Sequence, residues 1–188
     1  MKVPLFPLSS HVLPEGRMAL RIFEPRYTRM IKEVCASNSG FVVCMINSAG
    51  EKSNNTHIFP LGTFCTVIDF DVLEDGLLGV TIEGQYCVSI SDIETQHDEL
   101  RVGHVEKSAM WRCSSDITEV KIMAERLKEI FDRYPEVSGL YNKFRFDDPA
   151  WVINRWLELL PVGAQQKQHF LTQQSCDKVV KYLSQLIE

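Results

Sequence analysis

The sequence lacks long apolar runs and the short motifs of the common nucleotide-dependent and nucleophile-based enzymes. Its longest apolar run, Phe41–Ile46, is far shorter than the roughly 20 residues of a membrane-spanning helix. The patterns G-x-x-x-x-G-K-[ST], G-x-G-x-x-G and G-x-S-x-G do not occur. The chain therefore carries no P-loop, no dinucleotide-binding fingerprint and no nucleophile elbow.

Metal-binding and disulfide patterns are also scarce. The six cysteines lie far apart without a Cys-x-x-Cys pair, so neither a zinc knuckle nor a disulfide framework is expected. The five histidines form no H-x-x-x-H or H-E-x-x-H pattern, and we interpret the nearest cluster, residues 97–99 with His104, as solvated. We expect no catalytic residue, no metal and no cofactor.

The net charge of −5 argues against a general nucleic-acid binder, which usually carries a basic excess. Pro4 and Pro7 interrupt the apolar N-terminus, so it does not resemble a signal peptide. We expect a cytoplasmic protein without a membrane or nucleic-acid partner. The length of 188 residues suits one compact unit or two small subdomains that share a core.

The first 36 residues predict a sheet edge, a strand and a helix. Pro4 and Pro7 remove two backbone donors, which suits an edge rather than a central strand. After a turn at residues 14–16, apolar residues alternate with others over residues 18–23, so a strand there buries one face and leaves Arg21 on the other. Pro25 fits the first position of a helix. The apolar face of that helix consists of Tyr27, Met30, Ile31, Val34 and Cys35.

Glu24 and Arg26 are charged residues inside this apolar stretch. We interpret them as structural, with Glu24 near the positive N-terminus of the helix and Arg26 reaching a carboxylate or a carbonyl group. With Phe23, Pro25 and Tyr27 they form a motif at the corner between strand and helix. Cys35, on the apolar helix face, is expected to be an inert core thiol.

The middle of the chain predicts strands. Phe41–Ile46 is rich in β-branched residues and predicts a buried strand, whereas the polar residues 47–56 predict a mobile loop. Three strands separated by Asp-Gly and Glu-Gly turns follow, over residues 59–72, 77–82 and 85–90. One further strand is expected from Leu100 towards Trp111.

The last third predicts helices. Asp116 and Glu119 are spaced as in a capping box before a long apolar stripe that ends near Tyr134. Asp148 is the predicted N-cap of a second long helix, with Pro149 at its first position. Two shorter helices are expected, over residues 163–171 and from Ser175.

Two segments, PLFPL and VLPEGRMALRIFEPRYTRMI, resemble the opening signature of the Lon protease N-terminal (substrate-binding) domain family. That family includes short proteins without the ATPase and protease parts. The likeness extends over nearly the whole chain, but Leu77 stands where the family has Arg in Asp-Gly-Arg. Likewise, Gly84-Gln85-Tyr86-Cys87 replaces the family's Gly-x-x-Arg-Phe pattern, so ligand contacts of the family's arginines do not carry over.

We therefore predict an α+β fold. Residues 1–113 are expected to form a mostly antiparallel twisted sheet or partly closed barrel with one helix, and residues 114–188 a helical subdomain. The resemblance implies that the barrel is PUA-like. It also implies that the domain contacts unfolded or tagged protein substrates.

The predicted contact surface is the turn and strand after residue 12. Apolar side chains at a sheet rim belong either to a lid that is buried against the protein or to a patch that binds a partner. The residues alone do not decide between these two interpretations, and the resemblance to the Lon family favours the binding patch. The candidate residues are Leu13, Pro14, Arg17, Met18, Leu20 and Arg21. Replacing Leu13 or Met18 with Asp is expected to abolish client binding in a folded domain.

The predicted function is a non-catalytic module that recognises exposed apolar segments of unfolded or tagged proteins, with an adaptor role as one form. Its partners are polypeptide clients or a dedicated partner protein. The alternative is a small-molecule-binding protein or hydrolase that uses a cleft between the β-rich and helical parts, with Glu24, His11 or Asp75 as acid or base. Nucleic-acid binding, by analogy with other PUA-like barrels, is opposed by the negative charge.

Overall fold

The computed structural model describes residues 1–113 and 118–187. These residues divide into two compact units, with the division after Ser108. The capping-box residue Asp116 lies outside the described residues. The predicted boundary between residues 113 and 114 adjoins the same stretch and stays a prediction.

The first unit is a β-barrel with one long helix. Its strands are β1 (Lys2–Leu8), β2 (Arg17–Ile22), β3 (Phe41–Ile46), β4 (Ile58–Val72), β5 (Leu78–Thr95) and β6 (Arg101–Lys107). Helix α1 (Pro25–Ala36) follows β2, and a short 3-10 helix (Lys52–Asn54) follows β3. The strand order is β2-β5-β4-β3-β1-β6, and β5 also pairs with β6, which closes five strands into a ring with β2 attached to β5. Only the β1–β3 pair of this sheet is parallel, so the predicted α+β fold with a mostly antiparallel, partly closed sheet is confirmed.

Strand β1 is not at an edge, contrary to the prediction from its two prolines. It pairs with β3 on one side and β6 on the other. The two pairings are staggered: residues 2–5 pair with β6 and residues 5–8 pair with β3. Pro4 and Pro7 therefore lie in halves that are each paired with one neighbour, where a proline nitrogen facing the unpaired side removes no ladder hydrogen bond.

The predicted turn at Glu83 and Gly84 is wrong, because both residues lie inside the continuous strand β5. The Gly84 N–H donates to the Gly16 carbonyl over 2.9 Å, and the Glu15 N–H donates to the Gly84 carbonyl over 2.8 Å. A Cβ atom on Gly84 would lie 2.4 Å from the Leu13 carbonyl oxygen. Gly84 thus marks a close approach of two backbones rather than a turn.

The core of the first unit includes two apolar clusters, which draw on the strands and on α1. In β2, Ile22 is buried and Met18 and Leu20 pack partly buried against the first cluster, while Arg21 is exposed, so the predicted alternation is confirmed. Cys35 is exposed at the end of α1, which corrects the expectation of a core thiol. Buried residues of α1 are Tyr27, Met30, Ile31 and Val34.

The second unit is helical. Its described helices are α2 (Thr118–Arg133), α3 (Pro135–Ser138), α4 (Pro149–Leu159), α5 (Ala164–Leu171) and α6 (Asp177–Ile187). The Asp148 carboxylate accepts hydrogen bonds from the backbone N–H groups of Ala150 and Trp151, which confirms the predicted N-cap. Strand β6 ends at Lys107, earlier than predicted, and Trp111 donates its indole N–H to the Phe170 carbonyl within the helical unit. Among the described helices, none has both the length and the apolarity needed to cross a membrane.

Candidate functional site

A cavity of about 490 Å³ lies in the first unit, where β2 leads into α1. Its apolar lining comes from β1, β2, the start of α1 and the end of β3. These residues are Phe6, Leu8, Leu20, Ile22, Phe23, Tyr27 and Ile46. Strands β1 and β3 pair in parallel, with Leu8 opposite Met45. Because parallel strands end at the same edge of a sheet, this pairing brings the ends of β1 and β3 together at the cavity.

The apolar lining is partly open to solvent. Phe6 and Tyr27 are buried, with ring centroids 4.2 Å apart, and burial is the largest cause of the raised pKa of Tyr27. Phe23 is 68% exposed and Ile46 is 42% exposed. Water contact with such side chains costs about 25 cal/mol per Å², so a ligand that covers them is favoured.

The corner motif is held by Glu24 and Arg26. Arg26 donates to the Glu24 carboxylate from Nε, over 2.9 Å, and its Nη2 lies 2.6 Å from the same oxygen. Its Nη1 donates to the Glu99 carbonyl oxygen over 3.0 Å. The Arg26 guanidinium also lies 4.9 Å from the centre of the Tyr27 ring. These contacts connect the start of α1 to the turn before β6.

A polar wall faces the cavity from the other side, formed by Lys52, His57 and Arg101. Arg101 is buried and donates to the Glu99 carbonyl over 2.9 Å and to the Asn55 side-chain oxygen over 3.2 Å. His57 is 8% exposed. Its Nδ1 atom is buried without a hydrogen-bond partner among the described residues.

The protonation state of His57 follows from its surroundings. Burial, and then the positive charges of Arg101 and Lys52, lower the pKa of His57, while a backbone hydrogen bond with Glu51 acts in the opposite direction. The imidazole is therefore neutral at pH 7.

The cavity carries more positive than negative side chains. Of the described residues that line it, Arg21, Arg26, Lys52 and Arg101 are cationic and Glu24 is anionic. Arg21 forms an ion pair with Asp75, Arg26 with Glu24, and Arg101 with Glu99. Within the described ranges, Lys52 is the lining cation without a carboxylate partner.

The structure separates the six predicted contact residues. Leu20 and Arg21 line the cavity, whereas Pro14, Arg17 and Met18 lie outside its lining. Arg17 instead donates from Nε to the Glu83 carboxylate over 2.7 Å.

Leu13 is 1% exposed and therefore belongs to the interior. This corrects the expectation that Leu13 forms part of a contact surface and that Leu13→Asp leaves the domain folded. An unpaired carboxylate at a buried position is strongly unfavourable.

Sequence reasoning missed Ile46, Lys52, His57 and Arg101 as site residues. They lie 25 to 81 positions from Leu20 and Arg21 in the sequence, so no local spacing connects them. The sequence did contain one indication of this site. The loop after β3 follows a strand that was predicted as buried, and loops at strand ends commonly carry binding residues.

The three acid or base residues of the hydrolase alternative do not converge at this cavity. Glu24 is ion-paired with Arg26, and Asp75 is ion-paired with Arg21 outside the lining. His11 is buried, 3.4 Å from the Thr63 hydroxyl. No cluster of three or more His, Cys, Asp or Glu side chains within the described ranges could hold a metal ion.

The first unit is a closed, mostly antiparallel barrel with an apolar cavity at one corner, and the second unit is helical. Comparison with known families identifies the class of protein: the chain belongs to the ATP-dependent protease La (LON) substrate-binding domain family, which it matches over residues 2–188. This confirms the resemblance found in the sequence. The family's domain is a substrate-binding module.

Two solved structures have a similar fold. The Lon N-terminal domain protein from Xanthomonas campestris has 26% identity and a TM-score of 0.71, covering 97% of this chain and 96% of that one. The N-terminal domain of the Mycobacterium avium complex Lon protease has 12% identity and a TM-score of 0.70, covering 100% and 98%. The second likeness concerns the fold alone. Comparison with curated proteins gave no match.

Proposed function

We propose that this protein binds polypeptide clients by taking their exposed apolar side chains into the cavity between β2, α1 and the end of β3. The exposure of Phe23 and Ile46 beside an apolar lining carries this proposal. A folded protein keeps few such side chains together in solvent without a partner. Family membership supports a polypeptide substrate as the ligand.

Two further parts belong to the proposal. Binding occurs without catalysis, which the separation of Glu24, His11 and Asp75 supports. The bound client is then passed to another protein, so that the domain acts as an adaptor. A cytoplasmic location, predicted from the sequence, stays a prediction.

The test is fluorescence anisotropy of a labelled, permanently unfolded polypeptide titrated with the protein, with a folded polypeptide as reference. Phe23→Ser is expected to weaken binding of the unfolded chain by about tenfold, since burying a phenylalanine contributes roughly 1.5–3 kcal/mol and 1.4 kcal/mol is a factor of ten. Because Phe23 is exposed, the variant is expected to fold normally.

Phe70→Ser is the matched control, because Phe70 is 70% exposed and lies outside this cavity. It is expected to bind like the wild type. Equal losses in both variants would reject the cavity as the binding site. Absence of saturable binding to the unfolded chain would reject client binding itself.

A further inference from the structure

We infer that β2 binds an extended segment of the client as an added β-strand, along the side of β2 that faces away from β5. This inference rests on the proposed function and specifies how the backbone of the client is held while its apolar side chain enters the cavity. An unfolded polypeptide offers the free N–H and C=O groups that such pairing needs, whereas a folded protein has already paired most of its own.

Strand β2 has one paired side and one unpaired side. It stands at the end of the strand order β2-β5-β4-β3-β1-β6, and its residues 17–22 pair with β5. An edge strand of this kind presents a row of backbone groups that can pair with another chain. The outer side of β2 is therefore a template for a further strand.

The pairing with β5 shows which residues direct their backbone groups outward. The Gly84 N–H donates to the Gly16 carbonyl, and the pairing continues through residues 17–22 without a register shift. Because backbone groups alternate in direction along a strand, residues 18, 20 and 22 bond to β5. Ala19 and Arg21 direct their N–H and C=O groups away from β5, where no described residue bonds to them.

The side chains of β2 leave this outer side open. Arg17 donates from Nε to the Glu83 carboxylate, which belongs to β5. Arg21 forms an ion pair with Asp75, in the turn before β5. Both guanidinium groups are thus held towards the β5 side, and β2 has neither the proline nor the bulge that protects many natural edges.

The cavity lies on the same side of β2. Leu20 and Ile22 contribute to its lining, together with Phe6 and Leu8 of β1, whereas no described residue of β4 or β5 does. A strand added to β2 therefore passes beside the cavity. Because successive side chains of a strand point to opposite faces, every second side chain of the client is directed towards the apolar lining.

The first experiment uses a fluorescent peptide with one phenylalanine among polar residues, and variants in which one backbone amide at a time is N-methylated. N-methylation removes a donor, and only every second amide of an added strand faces β2. Methylation at those positions is expected to weaken binding to the wild-type protein at least about fivefold, the effect of one backbone hydrogen bond. Methylation at the positions between them is expected to change the affinity by less than about twofold.

The second experiment changes the edge itself. Ala19→Pro removes an outward N–H and leaves both the β5 pairing and the cavity lining in place, and proline is tolerated where its nitrogen faces outward. It is expected to weaken the unmethylated peptide at least about fivefold, whereas Ala19→Ser, which keeps the N–H, is expected to bind normally. Thermal unfolding establishes that each variant is folded.

Val72→Pro is the matched control. The Val72 N–H also faces away from β5, where it donates to the Asp71 carboxylate, and Val72 lies outside the cavity lining. Val72→Pro is therefore expected to bind the peptide like the wild type.

The outcomes separate the inference from the proposed function. Absence of an alternating pattern in the N-methylated peptides would overturn strand addition while leaving apolar client binding intact. Unchanged binding by a folded Ala19→Pro variant, or an equal loss in Val72→Pro, would overturn the assignment to β2. If Ala19→Pro instead abolishes self-association of the wild type in sedimentation velocity and still binds the peptide, a second copy of this chain occupies the edge, and the inference is overturned. If the unmethylated peptide does not bind, both the inference and the proposed function are rejected.

Discussion

The side chain of Leu13 is buried beneath the turn that leads into β2. Leu13→Ala is expected to lower the free energy of unfolding by about 2–5 kcal/mol, because it removes packed methyl groups and leaves a cavity. Urea denaturation measures the change. Leu186→Ala, at a leucine that is about half exposed, is expected to change stability by less than about 0.5 kcal/mol. A wild-type midpoint for Leu13→Ala would contradict the assignment of Leu13 to the core.

Asp98 and Arg29 form a two-pronged ion pair between the turn before β6 and helix α1. Arg29 donates from Nε to one carboxylate oxygen over 2.8 Å and from Nη2 to the other over 2.9 Å. The hydrogen bonds from Arg29 are the largest cause that lowers the pKa of Asp98 to about 2. The folded pKa thus lies below the unfolded value of about 3.9.

The native state therefore binds fewer protons at Asp98 than the unfolded state does, and the stability from this pair rises with pH between about 2 and 4. We expect Asp98→Asn to be less stable than the wild type at pH 7, with the difference disappearing as the pH falls towards 2. Urea unfolding at several pH values measures this. Asp132→Asn, at an exposed aspartate of α2, serves as the control, and an equal pH-dependent loss there would contradict the assignment.

The outer half of β4 is an exposed strand edge. Its pairing with β3 ends at Cys65, and the residues beyond pair with β5 alone. Phe70 and Val72 are about 70% exposed there. The Asp69 carboxylate accepts from the Phe70 N–H over 2.9 Å, and the Asp71 carboxylate accepts from the Val72 N–H over 2.8 Å.

These aspartates protect the edge, because they occupy two amide donors and place negative charge on both copies of any self-paired strand. The double variant Asp69→Ala, Asp71→Ala is expected to self-associate at concentrations where the wild type does not. Sedimentation velocity measures this. Glu74→Ala with Glu106→Ala removes the same charge at other exposed positions, and equal association there would show that net charge alone is responsible.

Local sequence patterns predicted the elements that depend on neighbouring residues. The alternation in β2 and the Asp148 cap belong to this group, because a face or a cap is specified within a few positions. The central place of β1 depends on pairings with strands about 40 and 100 residues away. The position of Leu20, His57 and Arg101 around one cavity also depends on pairings between distant strands. No local sequence pattern encodes these pairings.

The first unit has the components of an independent domain. In the described part of the chain, the residues of the two apolar clusters all lie before the division at Ser108. A fragment of residues 1–108 is therefore expected to fold cooperatively alone, as measured by thermal unfolding and by dispersion of its NMR amide signals. A fragment of residues 1–113, ending at the predicted boundary, is the comparison. A disordered 1–108 fragment beside a folded 1–113 fragment would favour the predicted boundary.

The pairing of β1 with β6 has a consequence for synthesis on the ribosome. Lys2 lies opposite His104, so β1 lacks one of its partners until β6, the last strand of the barrel, has left the exit tunnel. Closing a loop of about 100 residues costs entropy before the contact stabilises the chain, and such distant pairings slow folding. The barrel therefore closes late, and the half of β1 that pairs with β6 stays without its partner until β6 has emerged.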